Sequence, residues 1–371
     1  MSQKNNPNFD FYSGSFEPQK NTPQEPHMRK TVHHPPLSDA RLLKQNLTYS
    51  YSRVGFALAS AIVLWLILSA VMIAVGTIIS PDLAENMMFS TLAGTLPLYV
   101  VCTPLVFLIV ADVPIVKQEK KKLSLSHFFI LFLMAQGLMW AGNFIGERLM
   151  GIMGELTGID FYNQLNDTVQ LPIWFIAILT GILAPIFEEL IFRKLLLDRM
   201  MPHGELCAIL FNGVLFGLFH GNFYQFFYAA SLGMLLSFVY IKTGRIRHCM
   251  LLHIAINFMG GIIPAILLQR IDYDRYLALD ATNTAEVEAF YAEYGPQMSA
   301  LSFFSLAQII MGLCGIVLLI LKMKQMVVER KDNQLPVRKA IKAAFFNVGM
   351  LCALTVCILL IVANILSYRV S

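Results

Sequence analysis

Long apolar runs, each near the length of about 20 residues that a helix needs to cross a bilayer, recur nine times along the chain. They are Val54–Ile79, Phe89–Val110, Phe128–Ile145, Leu171–Leu190, Glu205–His220, Phe223–Ile241, Arg247–Leu268, Leu301–Leu321 and Ala344–Ser367. Polar residues collect between the runs. A transmembrane β-barrel would instead show short segments of alternating polarity. The pattern predicts an all-α polytopic membrane protein of about nine transmembrane helices. The fourth helix is expected to continue to Met200. Only Gly221 and Asn222 separate the fifth and sixth runs, so these should form a tight hairpin or a re-entrant pair.

The segment before the first run is polar and holds Pro7, Pro18, Pro23, Pro26, Pro35 and Pro36. It lacks an apolar period and reads as a disordered tail. The chain then divides into a tail (1–47), two membrane helices (48–125), a membrane core (126–268), an acidic loop with room for a short surface helix (269–300) and two final membrane helices (301–371).

Composition agrees. Charged residues are 14% of the chain and apolar residues 56%, whereas soluble domains carry roughly 25% charged residues. A soluble enzyme of this length could not cover its surface, and most of the chain is too apolar for disorder. The net charge of +4 is too mild to imply a nucleic-acid partner. The six cysteines (Cys102, Cys207, Cys249, Cys314, Cys352 and Cys357) lie in or beside apolar runs without a CxxC pair. They are expected to be buried free thiols.

The distribution of basic residues adds an orientation. Alternating the nine runs across a bilayer puts 24 of the 28 Lys and Arg residues on the side of the N-terminal tail. By the positive-inside rule that side is cytoplasmic and the C-terminus is extracytoplasmic, as expected for a multi-pass cell-membrane protein whose surroundings are membrane lipid.

Ionisable groups within the spans carry the functional reading, because each costs several kcal/mol in hydrocarbon. The fourth run contains Glu188-Glu189 and Arg193 one turn after Pro185. Adjacent helical residues point about 100° apart, and Glu189 and Arg193 have the favourable i, i+4 order for an ion pair. Glu188 is left as the free carboxylate. Phe216 and His220 end the fifth run, where a lone histidine is more often interfacial or capping than catalytic. His253 and Asn257 share one face of the seventh helix, an arrangement that interhelical hydrogen bonding alone could explain.

At a rise of about 1.5 Å per residue, Glu188, His220, His253 and Asn257 can nonetheless fall in one buried polar layer, to within about one helical turn. A carboxylate beside imidazoles suits activation of water, and a second His with an Asn suits stabilisation of an oxyanion. These are parts of an amide hydrolase. No GxSxG elbow and no candidate Ser or Cys nucleophile accompanies them. Glu188, His220 and His253 are also a ligand set for Zn²⁺. The residues alone leave metal-bound water and metal-free activation both open.

Glu188-Glu189-x-x-x-Arg193, Phe216-x-x-x-His220 and His253-x-x-x-Asn257, ordered on successive membrane helices, resemble the CPBP family. That family comprises type II CAAX prenyl endopeptidases and Abi-type or bacteriocin-processing intramembrane proteases. The resemblance covers roughly residues 126–268. It implies a hydrolase in which Glu188 activates water with help from His220. His253 and Asn257 form the oxyanion site, and Glu189, Arg193 and Phe216 are supporting residues. It implies a membrane-anchored protein or peptide substrate, lipidated in some members, and leaves the cofactor open between Zn²⁺ and none. Lys194 stands where a Gly often follows the Arg. A non-enzymatic transporter or an interaction or immunity scaffold could use the same polar layer for binding, although no inverted repeat of the transporter kind is visible.

Overall fold

The computed structural model describes residues 37–116, 118–159, 161, 163–280, 282–330 and 334–367. Regular structure among them is helical. The main helices are α1 (Leu37–Ile79), α2 (Met87–Val110), α3 (Leu125–Thr157), α4 (Ile173–His203), α5 (Glu205–Phe219), α6 (Phe223–Thr243), α7 (Ile246–Leu268), α8 (Thr284–Gln325), α9 (Val337–Phe345) and α10 (Val348–Leu366). Eight of these are long and apolar enough to cross a membrane. The chain is therefore an all-α, multi-pass membrane protein.

Four boundaries differ from the expectation, each for a visible reason. α1 begins at Leu37, inside the segment read as tail. Leu43, Leu47 and Tyr51 make a stripe at i, i+4, i+8 that packs into the core, too narrow to register as an apolar run. The rest of the tail, residues 1–36, lies outside the described residues. α5 has 15 residues, so it is about 22 Å long, shorter than the ~30 Å of hydrocarbon. α8 starts at Thr284 and so takes up the end of the acidic loop. It is kinked at Tyr294, just before Pro296, whose ring interrupts the helical hydrogen bonds. The rest of that loop holds the expected short helix, Tyr273–Ala278. The final run is split. Ala344 belongs to α9, and Asn347 caps α10 by accepting a hydrogen bond from the Met350 amide. Its own amide donates to the Ala343 and Ala344 carbonyls, so one side chain serves both helix ends.

Close packing by small residues holds the bundle together, as is general for helices in lipid. α5 lies along α6 with Gly213 and Gly217 against Ala230 and Met234, and Gly233 against Phe216. The turn between them needs a left-handed residue, which Gly221 supplies at φ 62°. The hairpin is thus formed as expected. α8 and α3 meet at Gly315 and Gly137, and α1 and α10 at Gly55 and Gly349. α6 also packs on α3, and α7 touches α3, α4 and α8.

The basic connecting segments meet at one end of this bundle. There Arg53 pairs with Asp112 at 2.8 Å, Lys242 pairs with Glu205 at 2.8 Å, and the Arg199 guanidinium donates to the Val110 carbonyl at 2.6 Å. The Lys121 amide donates to the Thr243 carbonyl, and the Glu329 amide to Glu205. All six cysteines are free. Cys102, Cys207, Cys249 and Cys357 are buried as expected, whereas Cys352 is half-buried and Cys314 is exposed on α8.

Candidate active site

Four helices build the polar layer, and each departs from regular α geometry beside it or ends there. The π-helical stretches Ala177–Leu183 and Leu190–Leu197 flank Glu188 and Glu189 in α4. A third, Phe258–Ile262, follows Asn257 in α7, and a fourth, Leu98–Cys102, places Tyr99 of α2. π turns are rare and concentrate at functional sites. The shift from i−4 to i−5 bonding frees a carbonyl for an outside donor, and buried carbonyls need one. Two side-chain amides fill that need. Asn212 of α5 donates to the Phe192 carbonyl at 2.9 Å, and Asn257 donates to the Thr180 carbonyl at 2.8 Å.

Glu189 and Arg193 form the centre. Both are fully buried, with Arg193 Nε 2.8 Å from Glu189 Oε2 and Arg193 donating to Oε1 at 3.3 Å. Arg193 also donates to Asn212 Oδ1 at 2.6 Å, and its guanidinium lies 4.9 Å over the Phe216 ring. Ser237 of α6 donates to the same Asn212 oxygen at 2.9 Å. A buried ion pair needs further partners for its donors and acceptors; Asn212 and the Phe216 face meet the guanidinium, and Ser237 holds Asn212 in place.

His253 takes up the free side of Glu189. Its Nδ1 donates to Glu189 Oε1 at 3.0 Å. A carboxylate paired with a guanidinium can only accept, so the Nδ1 proton lies on that bond and Nε2 is the nitrogen turned to Glu188. Nε2 is 3.8 Å from Glu188 Oε2, too long for a direct hydrogen bond and within reach of one shared water. Glu188 keeps 15% of its side chain exposed, against none for Glu189. The division between a paired Glu189 and a free Glu188 is the one the i, i+4 spacing indicates.

His220 caps α5, and its Nδ1 donates to the Phe216 carbonyl at 2.8 Å. A carbonyl can only accept, so His220 also presents Nε2. Its ring and that of His253 lie on the Phe216 ring, at centroid distances of 5.1 and 5.7 Å. Glu189, Arg193 and His253 thus touch directly, Glu188 faces His253 across 3.8 Å, His220 joins through Phe216, and Asn257 is turned toward α4.

Asn212, Ser237 and Tyr99 escaped the sequence reading. Asn212 had a signal, since 212, 216 and 220 share one helical face. Ser237 and Tyr99 had none. Tyr99 stacks on Phe187, the residue next to Glu188, with the ring centroids 4.5 Å apart.

A catalytic zinc takes three protein ligands at roughly 2 Å. Among the described residues no three His, Cys, Asp or Glu side chains gather closely enough to hold a metal ion. Both histidines also have Nδ1 engaged elsewhere. Glu188, His220 and His253 do not converge as a ligand set for zinc.

The fold and the site define a multi-pass membrane protein with an acid–base layer buried among its helices. Residues 170–259, which contain all three motifs, match the family described as "Type II CAAX prenyl endopeptidase Rce1-like". By this match the polar core of the chain is similar to that family, consistent with the CPBP group whose motifs it resembles. Among curated proteins, the chain is 27% identical over 182 residues to the "Putative membrane peptidase YdiL" of Bacillus subtilis (strain 168), covering 47% of this chain and 72% of that protein. It is 28% identical over 155 residues to the "UPF0177 protein YbdI" of Lactococcus lactis subsp. lactis (strain IL1403), covering 38% of this chain and 84% of that protein. No solved structure matches significantly.

Proposed function

We propose that the protein is an endopeptidase that hydrolyses a peptide bond of a membrane-anchored protein or peptide, with water activated between Glu188 and His253. One observation carries this reading. Glu189 is consumed by Arg193 and fixes the His253 Nδ1 proton, so that Nε2 and the free Glu188 carboxylate face each other across 3.8 Å. Water in that gap gives its proton to Glu188 and attacks the carbonyl carbon, and the protonated carboxyl then hands the proton to the leaving amine. Asn257 holds one amide proton on Thr180 and keeps a second for the developing oxyanion. His220 presents Nε2 as a second base beside the Phe216 ring.

The deciding experiment uses purified full-length protein in proteoliposomes with a membrane-anchored reporter peptide. Glu188→Gln, nearly isosteric, should lower the cleavage rate by at least about 10³-fold, as loss of a general base together with the water it positions should. Cleavage at the wild-type rate would sink the hydrolytic reading and leave a binding or scaffold role for the same layer.

A further inference from the structure

The geometry points to α9 as a docking surface for anionic phospholipid headgroups at the membrane boundary, a property independent of the peptidase reading. Nine residues cannot span a bilayer, and the helix is strongly two-faced. Ala340, Ala343 and Ala344 are buried against α1 and α5. Arg338, Lys339 and Lys342 are exposed, and none has an ion-pair partner among the described residues. Phe345 and Phe346 follow at 40% and 64% exposure.

Position makes this pattern specific. Asn347 joins the end of α9 to the start of α10, which enters the apolar bundle immediately. α9 therefore sits where the hydrocarbon begins, at the end of the bundle that collects the basic segments. Three exposed cations without an ion-pair partner among the described residues, beside two exposed aromatic rings, match a lipid surface. The cations meet headgroup phosphates, the rings reach the acyl boundary, and each basic group near an anionic leaflet adds attraction. An acidic protein partner would satisfy the charges, but the rings would then have to leave the membrane that begins one residue further on.

The test is thermal unfolding of the full chain in neutral detergent, titrated separately with dioctanoyl phosphatidylglycerol, dioctanoyl phosphatidylcholine and inorganic phosphate. Phosphatidylglycerol is expected to raise the unfolding temperature at a concentration at least about tenfold below that of phosphatidylcholine. Phosphate should have no effect. R338Q/K339Q/K342Q should abolish the difference between the two lipids without changing the unliganded unfolding temperature. K342Q alone should shrink it, and serves if the triple variant does not fold. Equal responses to the two lipids in the wild type would overturn the proposal, as would an undiminished phosphatidylglycerol response in the folded variants or a response reproduced by phosphate.

Discussion

Glu188 and Glu189 are neighbours in sequence but point about 100° apart around the helix, and that rotation decides which of them pairs with Arg193 and which is left unpaired. The same comparison separates their mutants. Glu189→Gln removes the partner of a fully buried guanidinium, which costs about 3–5 kcal/mol. It is expected to lower the unfolding temperature markedly, whereas Glu188→Gln should leave it near the wild-type value, since Glu188 makes no direct hydrogen bond in the site. Differential scanning calorimetry of the two variants checks this; equal destabilisation would show that Glu188 is structural too. Arg193→Lys should resemble Glu189→Gln, because a point ammonium cannot hold both carboxylate oxygens, Asn212 and the Phe216 face at once. Away from the site, the Tyr49 hydroxyl and then Arg53 hold the Asp112 carboxyl below the usual carboxylate range. A depressed carboxylate contributes stability above its unfolded pKa and loses it as pH falls through the folded one. The tie from α1 to the segment after α2 should therefore weaken below about pH 4. Any gap in unfolding temperature between wild type and Asp112→Asn should close there, and a gap that widens toward acid would refute the assignment.

Each element around the site is bent or shortened where the chemistry sits. The two π stretches in α4 turn Thr180, Phe192 and their neighbours out of a regular ladder, and Asn257 and Asn212 bind the freed carbonyls. α5 stops at His220 because Gly221 must follow it in the left-handed region. The α5–α6 contact then fixes Asn212 against Ser237. A Cβ at Gly217 would come within 2.6 Å of the Phe226 carbonyl oxygen and 2.8 Å of the Ala230 Cβ. Gly217→Ala is therefore expected to push the hairpin apart, destabilise the fold by about 1–3 kcal/mol and reduce cleavage by displacing Asn212 from Arg193. Unfolding and reporter cleavage measured together check this, and a wild-type profile in both would show that the hairpin is compliant. The hairpin, the Glu189–Arg193 pair and the i, i+4 relation of His253 to Asn257 were readable because each is a local spacing. The π stretches were not, since a run of Leu, Ile and Phe has the same composition in either register. Nor was Ser237, which acquires its role only when α6 lies on α5.

At the scale of the molecule, the sequence pattern and the packing gather the same basic segments at one end of the bundle. The sequence puts 24 of 28 basic residues on one side if the spans alternate. In the bundle, Arg53, Arg199, Lys242 and the segment before α9 are drawn to one end by hydrogen bonds and ion pairs that owe nothing to that rule. The α5–α6 hairpin leaves and returns to that end, since Glu205 at its start pairs with Lys242 near its finish. Whether α5 crosses fully therefore does not alter the parity of the remaining spans, so the count of eight long helices and one short one supports the same alternation as nine. α1 and α10 run side by side in the same direction. Gly55, near the middle of α1, meets Gly349 at the start of α10, while Trp65 of α1 and Leu360 of α10 both reach the far end of α5, at Phe219 and Gly221. Two helices entering from one end leave at the other. We therefore propose that the N-terminus faces the cytoplasm and the C-terminus the opposite side. In a bacterial host, alkaline phosphatase fused after Ser371 is expected to be active, since it folds only outside the cytoplasm. Green fluorescent protein fused before Met1 is expected to fluoresce, since it matures inside. Inactive phosphatase on a well-expressed C-terminal fusion would place both termini on one side and would require one long helix to lie outside the bilayer path.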